Sequence, residues 1–454
     1  MKAARVFTRR FAGWGTPQQT KLFPAIKRHA ELVIEKGVGS EVFTAEGKRY
    51  LDATSGIGVL STGHCHPTVV KAVQEQAAKA THVQMSCYYS SEVLKLIDRL
   101  QPHMPKGLES FFFTNSGAEA VEGALKLARH AKKRDTVVAF LGGYHGRTSG
   151  TLAVTSSSSG YRGERAGPLP AGTVFARYPY EHAGVSAEEA LASLDLLLLQ
   201  QAKASEIAAV IIEPVLGEGG YVVPPTRFMY GLREWCTKND ILLIADEVQC
   251  GFGRTGKQWA VEHFGIVPDI LVSAKGIASG YPLSMVATRP ELSAAQQVGC
   301  MGGTYGGNAV AVAAAMATLD VFEQEKVLEN VRQRGDQLVT GLRQMGSAAN
   351  IAVSDVRGLG LMVGCEFDAA IVGKGFAHAV TGEAFDRGVL VLPTGHRETI
   401  RIIPALTVTA AEIDELIHVV EESIAATYAK RLAERGESFP SEGSVGYSMT
   451  KASV

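Results

Sequence analysis

Short β-branched or aromatic runs alternate with amphipathic stretches over residues 66 to 320. The runs Phe111–Thr114, Thr136–Leu141, Ile207–Ile212, Ile241–Ala245 and Ile270–Ser273 are each bounded by polar residues or glycine, as strands buried on both faces should be. Between them, Ala118–Arg134 places Val121, Ala124, Leu125 and Ala128 on one stripe of a helix. Strand–helix alternation of this kind predicts an α/β fold, with a mostly parallel sheet, right-handed crossovers and helices on both faces. Ahead of it, Glu41-Val-Phe-Thr, the turn Ala45-Glu-Gly-Lys and Arg49-Tyr-Leu-Asp read as a β-hairpin. Behind it the rhythm changes. A helix near 321–345, strands over Val353–Phe367 and Val389–Leu392, and a helix over 410–428 predict a smaller α+β C-terminal domain.

The pattern divides the chain into a basic segment 1–16, an N-terminal segment 17–65, a large domain 66–320, a small domain 321–430 and a disordered tail 431–454 rich in Ser, Gly, Glu and Lys. The first thirty residues hold Lys2, Arg5, Arg9, Arg10, Lys21, Lys27 and Arg28, and the first acid is Glu31. Val6, Phe7, Phe11 and Trp14 share a helical face among those arginines, which is transit-peptide chemistry and points to the mitochondrial matrix. The absence of serine there favours the alternative, a frayed basic terminus on a cytoplasmic protein.

Composition narrows the classes. With 45 Lys+Arg against 46 Asp+Glu, the net charge of −1 lacks the basic excess of a dedicated nucleic-acid binder. The longest apolar run, Ala309 to Ala317, is well short of the roughly 20 residues that cross a bilayer, so no membrane partner is expected. The six cysteines are scattered and none forms Cys-x-x-Cys, so no metal is expected. His64-Cys65-His66 lacks a third ligand nearby.

Ligands of open parallel sheets bind where the strands end, and the five strand exits carry unusual chemistry. Asn115-Ser116-Gly117-Ala118 opens a helix, where free amides favour a phosphate, although Ser116 with Glu119 also reads as a plain capping box. Gly142-Gly143-Tyr144-His145-Gly146-Arg147 offers a ring that can stack on a flat ligand. Glu213 and Asp246 follow the next two strands, and Asp246 is placed to keep a pyridine nitrogen protonated. Lys275 follows the fifth, among the small residues Ala274, Gly276, Ala278 and Gly280. Desolvation there would free a neutral amine, and the small neighbours leave room for a planar cofactor. Arg147 and Arg401 are candidate carboxylate clamps, and Glu218 in Gly217-Glu-Gly-Gly is a candidate mask for one of them. Gly251-Phe-Gly-Arg-Thr-Gly256 matches a dinucleotide fingerprint, but Asp246 to Cys250 separate it from its strand. As a P-loop it fails at Gln258, where Ser or Thr must stand.

These residues resemble a known family. Thr114-Asn-Ser-Gly-Ala-Glu-Ala120, Tyr144-His-Gly-Arg147, Glu213-Pro-Val-Leu-Gly-Glu-Gly-Gly220, Asp246-Glu-Val-Gln249, Ala274-Lys-Gly276 and Gly303-Thr-Tyr-Gly-Gly-Asn308 occur in the order seen in class III aminotransferases, over residues 20 to 428. Ser55-Gly-Ile-Gly-Val-Leu-Ser-Thr-Gly-His64, Pro282-Leu-Ser284 and Ile400-Arg-Ile-Ile-Pro-Ala-Leu-Thr407 make it most similar to the 4-aminobutyrate enzymes of that class. The resemblance implies fold type I, pyridoxal 5'-phosphate, and transfer of an ω-amino group to 2-oxoglutarate by a ping-pong mechanism. It implies that Lys275 bonds to the cofactor and shuttles the proton, and that Asp246 pairs with the ring nitrogen. Gln249 would contact the ring hydroxyl, with Tyr144 and Val248 sandwiching the ring and His145 and Glu213 beside it. Ser116, Gly117 and Ala118 would hold the phosphate together with Thr304 of a second copy, so at least a homodimer is implied. Arg147 would take the distal carboxylate and Arg401 the α-carboxylate. Glu218 would neutralise Arg401 in the other half-reaction, and Ile57 would line the pocket. The animal 4-aminobutyrate enzymes carry a Cys-x-x-Cys that this chain lacks, so no iron–sulfur cluster is implied. The alternatives are an acetylornithine, ornithine or other ω-amino acid aminotransferase, or a racemase or aminomutase of the same fold.

Overall fold

The computed structural model describes residues 21–437 apart from 24, 165, 166 and 396. The basic segment 1–16, with its transit-peptide expectation, lies outside the described residues.

Strands β1 (Ile34–Val38), β2 (Glu41–Thr44) and β3 (Arg49–Asp52) form an antiparallel meander that contains the expected hairpin. The central sheet comprises β4 (Ser110–Thr114), β5 (Thr136–Phe140), β6 (Thr173–Ala176), β7 (Ile207–Ile212), β8 (Leu242–Asp246), β9 (Ile270–Ser273) and β10 (Ser284–Thr288), in the order β4-β10-β9-β8-β7-β5-β6. Every residue of β7, β8, β9 and β10 is buried, which is why β7, β8 and β9 read as apolar runs. Pairing is parallel from β6 through β9, while β10 runs antiparallel to both β9 and β4. Because β10 opposes both neighbours, β4 and β9 point the same way. The five strands expected from the sequence therefore all end on one edge. The helix Gly117–Lys132 packs across β7, β9 and β10, with Val121, Ala124, Leu125 and Ala128 buried.

The sequence pattern does not reveal β6 and β10. Thr173–Ala176 is a four-residue edge strand, and Ser284–Thr288 is bounded by polar residues that hydrogen-bond inward: Thr114 and Ser284 share a hydroxyl bond of 2.6 Å, and Thr288 donates to Asp269 O. The helix expected near 321–345 is two helices, Ala309–Gln324 and Val327–Arg343. They are broken at Lys326, whose φ is +50°, with neither glycine nor proline to announce the break.

Beyond them, β11 (Val353–Leu359) and β12 (Met362–Phe367) form a hairpin. Its Gly360, at φ +54°, lies so close to the Arg254–Thr255 backbone that a Cβ would sit 2.6 Å from Thr255 C. The expected strand Val389–Leu392 divides at Val391. Its first half, β13 (Val389–Leu390), pairs in parallel with β3, and its second, β14 (Leu392–Pro393), pairs with β15 (Thr399–Ile402). The N-terminal meander is thereby one sheet with a strand from the C-terminal part, and β11-β12-β15-β14 is a second sheet.

The last helix, Ala410–Arg435, starts on a Thr409–Glu412 capping box and ends at Gly436, whose φ is +71°. It outruns its expected end at 428 and takes in residues 431–435 of the expected tail, because Tyr428 and Leu432 continue its buried stripe. Among the described residues no helix is long and apolar enough to cross a membrane, and no group of His, Cys, Asp and Glu has metal-site geometry. His64 instead pairs with Asp52, and His66 with Glu325.

Candidate active site

A cavity of about 560 Å3 opens on the edge where the strands end. Ser116, Tyr144, Glu213, Asp246 and Lys275, each from a different strand exit, line it together. Gly117, Ala118, His145, Arg147, Val248 and Gln249 complete the expected residues in its wall.

Asp246 is the last residue of β8 and is buried. The ring Nδ1–H of His145 donates to Asp246 Oδ2 at 2.7 Å, and the Val248 amide donates to Oδ1 at 3.1 Å. Burial disfavours the charged ring of His145, but the Asp246 carboxylate outweighs it and raises the imidazole above its ordinary range. Glu213 accepts the amides of Tyr144 at 2.8 Å and Gly217 at 2.9 Å, and burial pushes its carboxyl up to about 7. It fixes the backbone under the Tyr144 ring.

At the end of β4, Ser116 Oγ accepts the Glu119 amide at 3.3 Å, which is half a capping box. The Glu119 carboxylate reaches the Asn115 amide, at 2.7 Å, rather than that of Ser116. Among the described residues the amides of Ser116, Gly117 and Ala118 meet no acceptor, at the start of a helix of 16 residues. A Cβ on Gly117 would sit 2.9 Å from Val248 Cγ1, so only glycine lets this turn close beneath Val248.

Lys275 has φ +48°, a conformation that costs a side-chain-bearing residue about 1–3 kcal/mol. Burial lowers its ammonium below the ordinary lysine range. The small neighbours serve packing as well as space. A Cβ on Gly276 would sit 2.5 Å from Ser61 Oγ, and one on Gly280 2.9 Å from Leu60 Cδ2, so the loop after the Ser55–Gly58 turn lies flat against the lysine's turn. Ser61 Oγ donates to Gly276 O, and the Thr62 amide donates to Ser279 Oγ, fastening the two segments.

Four expected residues stand outside this wall. Ile57 belongs to the turn Ser55–Gly58, where all four residues have positive φ, two positions before Val59 in the wall. Thr304 lines a neighbouring cavity of about 760 Å3, which shares Asn115 with the first. Arg401, on β15, and Glu218 form a buried ion pair whose charges both act on Lys275. Burial works against each charge in that pair. Mutual attraction wins, so Glu218 titrates below and Arg401 above its ordinary range. Arg147, in contrast, is exposed, and among the described residues no carboxylate lies within ion-pair distance of it. Its guanidinium lies 4.5 Å from the Tyr161 ring centroid. Nothing local in the sequence singles out Tyr161, which reaches the site from a short turn, Ser159–Tyr161.

The residues present fit pyridoxal phosphate. The free amides at 116–118 suit its phosphate, and Asp246 suits a protonated ring nitrogen. Gln249 Oε1, buried against the cavity without a partner, suits a ring hydroxyl.

The family described as aminotransferase class-III matches residues 23–424. A 5-aminovalerate aminotransferase of Pseudomonas aeruginosa is 40% identical over 397 residues, covering 86% of this chain and 93% of the relative. A 4-aminobutyrate aminotransferase of Escherichia coli is 37% identical, covering 86% of this chain and 92% of the relative. Among solved structures, the ornithine aminotransferase of Toxoplasma gondii, with pyridoxal phosphate at partial occupancy in its active site, is 30% identical. It superposes with a TM-score of 0.78 over 89% of this chain and 93% of its own.

Proposed function

The chain belongs to the class III aminotransferases, which depend on pyridoxal phosphate, and from that premise we propose that it moves the terminal amino group of an ω-amino acid, 4-aminobutyrate first among them, to 2-oxoglutarate. The observation that carries this reading is the contrast between the two arginines. Arg147 is open at the cavity mouth, whereas Arg401 is masked by Glu218. A donor with one carboxylate far from its amine needs one arginine. A dicarboxylic 2-oxo acid needs both, and Glu218 can withdraw to offer the second.

Pyridoxal phosphate supplies an aldehyde that condenses with amines and a ring that accepts electron density. The chain's own residues do the rest. Ser116, Gly117 and Ala118 hold the phosphate with their amides. Asp246, kept in place by His145 and the Val248 amide, holds a proton on the ring nitrogen. Tyr144 and Val248 would sandwich the ring, and Gln249 Oε1, which has no other partner, would accept the ring hydroxyl. Lys275 Nζ, its ammonium destabilised by burial, binds the cofactor and moves the proton from the carbon that bears the substrate amine. Arg147 orients the donor by its carboxylate, with Ile57 against the substrate's apolar stem. Thr304 reaches the phosphate of a second copy's site, so the enzyme works as at least a dimer, and sedimentation at assay concentration checks that state.

A donor panel with 2-oxoglutarate tests the reading. It comprises 4-aminobutyrate, 5-aminovalerate, β-alanine, ornithine and acetylornithine. Highest kcat/KM is expected with 4-aminobutyrate or 5-aminovalerate. Turnover confined to donors whose amine is adjacent to the carboxylate would contradict it, and a preference for acetylornithine would reassign the donor.

A further inference from the structure

Tyr161 is the one described side chain that contacts both arginine subsites. Its hydroxyl donates to Glu218 Oε2 at 2.9 Å, while Glu218 uses Oε1 for Arg401. Its ring seats the Arg147 guanidinium at 4.5 Å and meets the Tyr144 ring edge-on, with centroids 5.1 Å apart. We propose that Tyr161 is a specificity-determining positioning residue that couples the two carboxylate subsites, holding Glu218 on Arg401 with its hydroxyl and aiming Arg147 with its ring. The inference rests on the two-arginine reading above and adds to it the part that sets the balance between masked and open Arg401.

The argument is one of shared bonds. With Glu218 on Arg401, the carboxylate has one oxygen for the guanidinium and one for the phenol. A hydrogen bond to a charged acceptor is stronger than a neutral one. Withdrawing Glu218 therefore breaks two bonds, and the phenol's share adds to the resistance that an incoming α-carboxylate must overcome. Burial and the Glu218 charge push the phenol up to about 12, so it stays a donor throughout the working range. The same ring packs against Arg147, so the two subsites meet on one side chain with no flexible linker between them.

Tyr161→Phe keeps the ring and removes the hydroxyl. The masked state then loses a bond, and roughly three- to tenfold effects follow from a hydrogen bond of this type. KM for 2-oxoglutarate should fall, kcat/KM for glutamate as donor should rise, and kcat/KM for the ω-amino donor should drop. Tyr161→Leu removes the ring as well and should raise KM for every carboxylate substrate, because Arg147 loses its seat. The opposite shifts in the Phe variant are the signature, since a merely structural role would move all substrates together. Equal changes for both substrate classes, or none, in a folded and cofactor-loaded Tyr161→Phe enzyme would overturn the coupling while leaving the proposed function intact. A wild type that accepts no ω-amino donor would overturn both.

Discussion

The floor and the rim of the cavity are built in different ways. On the floor, Ser116, Glu213, Asp246 and Lys275 follow directly from strands of one sheet, and their partners are mostly nearby backbone: the Tyr144 and Gly217 amides on Glu213, the Val248 amide on Asp246. On the rim, Glu218, Arg401, Tyr161 and Arg147 come from a loop, a strand of another sheet, a short turn and a strand exit. They are held by side chain–side chain contacts such as the one between positions 218 and 401. A floor tied to a sheet keeps one geometry. A rim of mutually bonded ions can exchange partners, which an enzyme with two unlike substrates requires.

Several substitutions would break or sharpen that contrast. Lys275→Ala removes the floor's amine and should lower kcat on the order of 10⁴-fold with every substrate, read as steady-state turnover. Retention of normal turnover would remove Lys275 from the chemistry. Glu218→Gln acts on the rim. Unmasked Arg401 should lower kcat/KM for the ω-amino donor about tenfold while 2-oxoglutarate changes less, so the ratio of the two is the quantity to measure. A uniform loss would make Glu218 part of the floor.

A smaller effect concerns pH. Glu213 keeps its proton up to about 7 in the folded chain but ionises in the ordinary carboxylate range when unfolded. Between those values the folded state binds more protons, so the contribution of Glu213 to stability is full at low pH and declines as pH rises toward 7. Glu247, pushed up to about 7 by burial, adds a decline of the same sign. Denaturant titrations across that window should lose part of their slope in Glu213→Gln. An unchanged slope would place that proton elsewhere. Least of all, Thr409→Ala removes the cap of the last helix, which lines neither cavity, and should cost about 1 kcal/mol in denaturation with unchanged kinetics.

The same contrast explains what the sequence makes legible. The parallel-paired strands β5, β7, β8 and β9, and the edge strand β4 that points the same way, announce themselves as apolar runs, and whatever follows each run is on one edge by topology. Lys275, Asp246, Glu213, Tyr144 and Ser116 were therefore readable together. The ion pair of Glu218 with Arg401 joins the loop after β7 to β15 across a long stretch of chain, so composition offers only a candidate mask and a candidate clamp. Tyr161 carries no local signal, because its contacts exist only after the chain has folded. Lys326 shows the same limit in the fold: a lysine at positive φ breaks a helix that periodicity would continue.

The most direct measurement is borohydride reduction of the pyridoxal-phosphate-loaded enzyme, followed by peptide mass mapping. The account predicts a single phosphopyridoxyl group on the peptide that carries Lys275, lost in Lys275→Ala. A stable label on another lysine of the wild-type enzyme, with Lys275 unmodified, would contradict it.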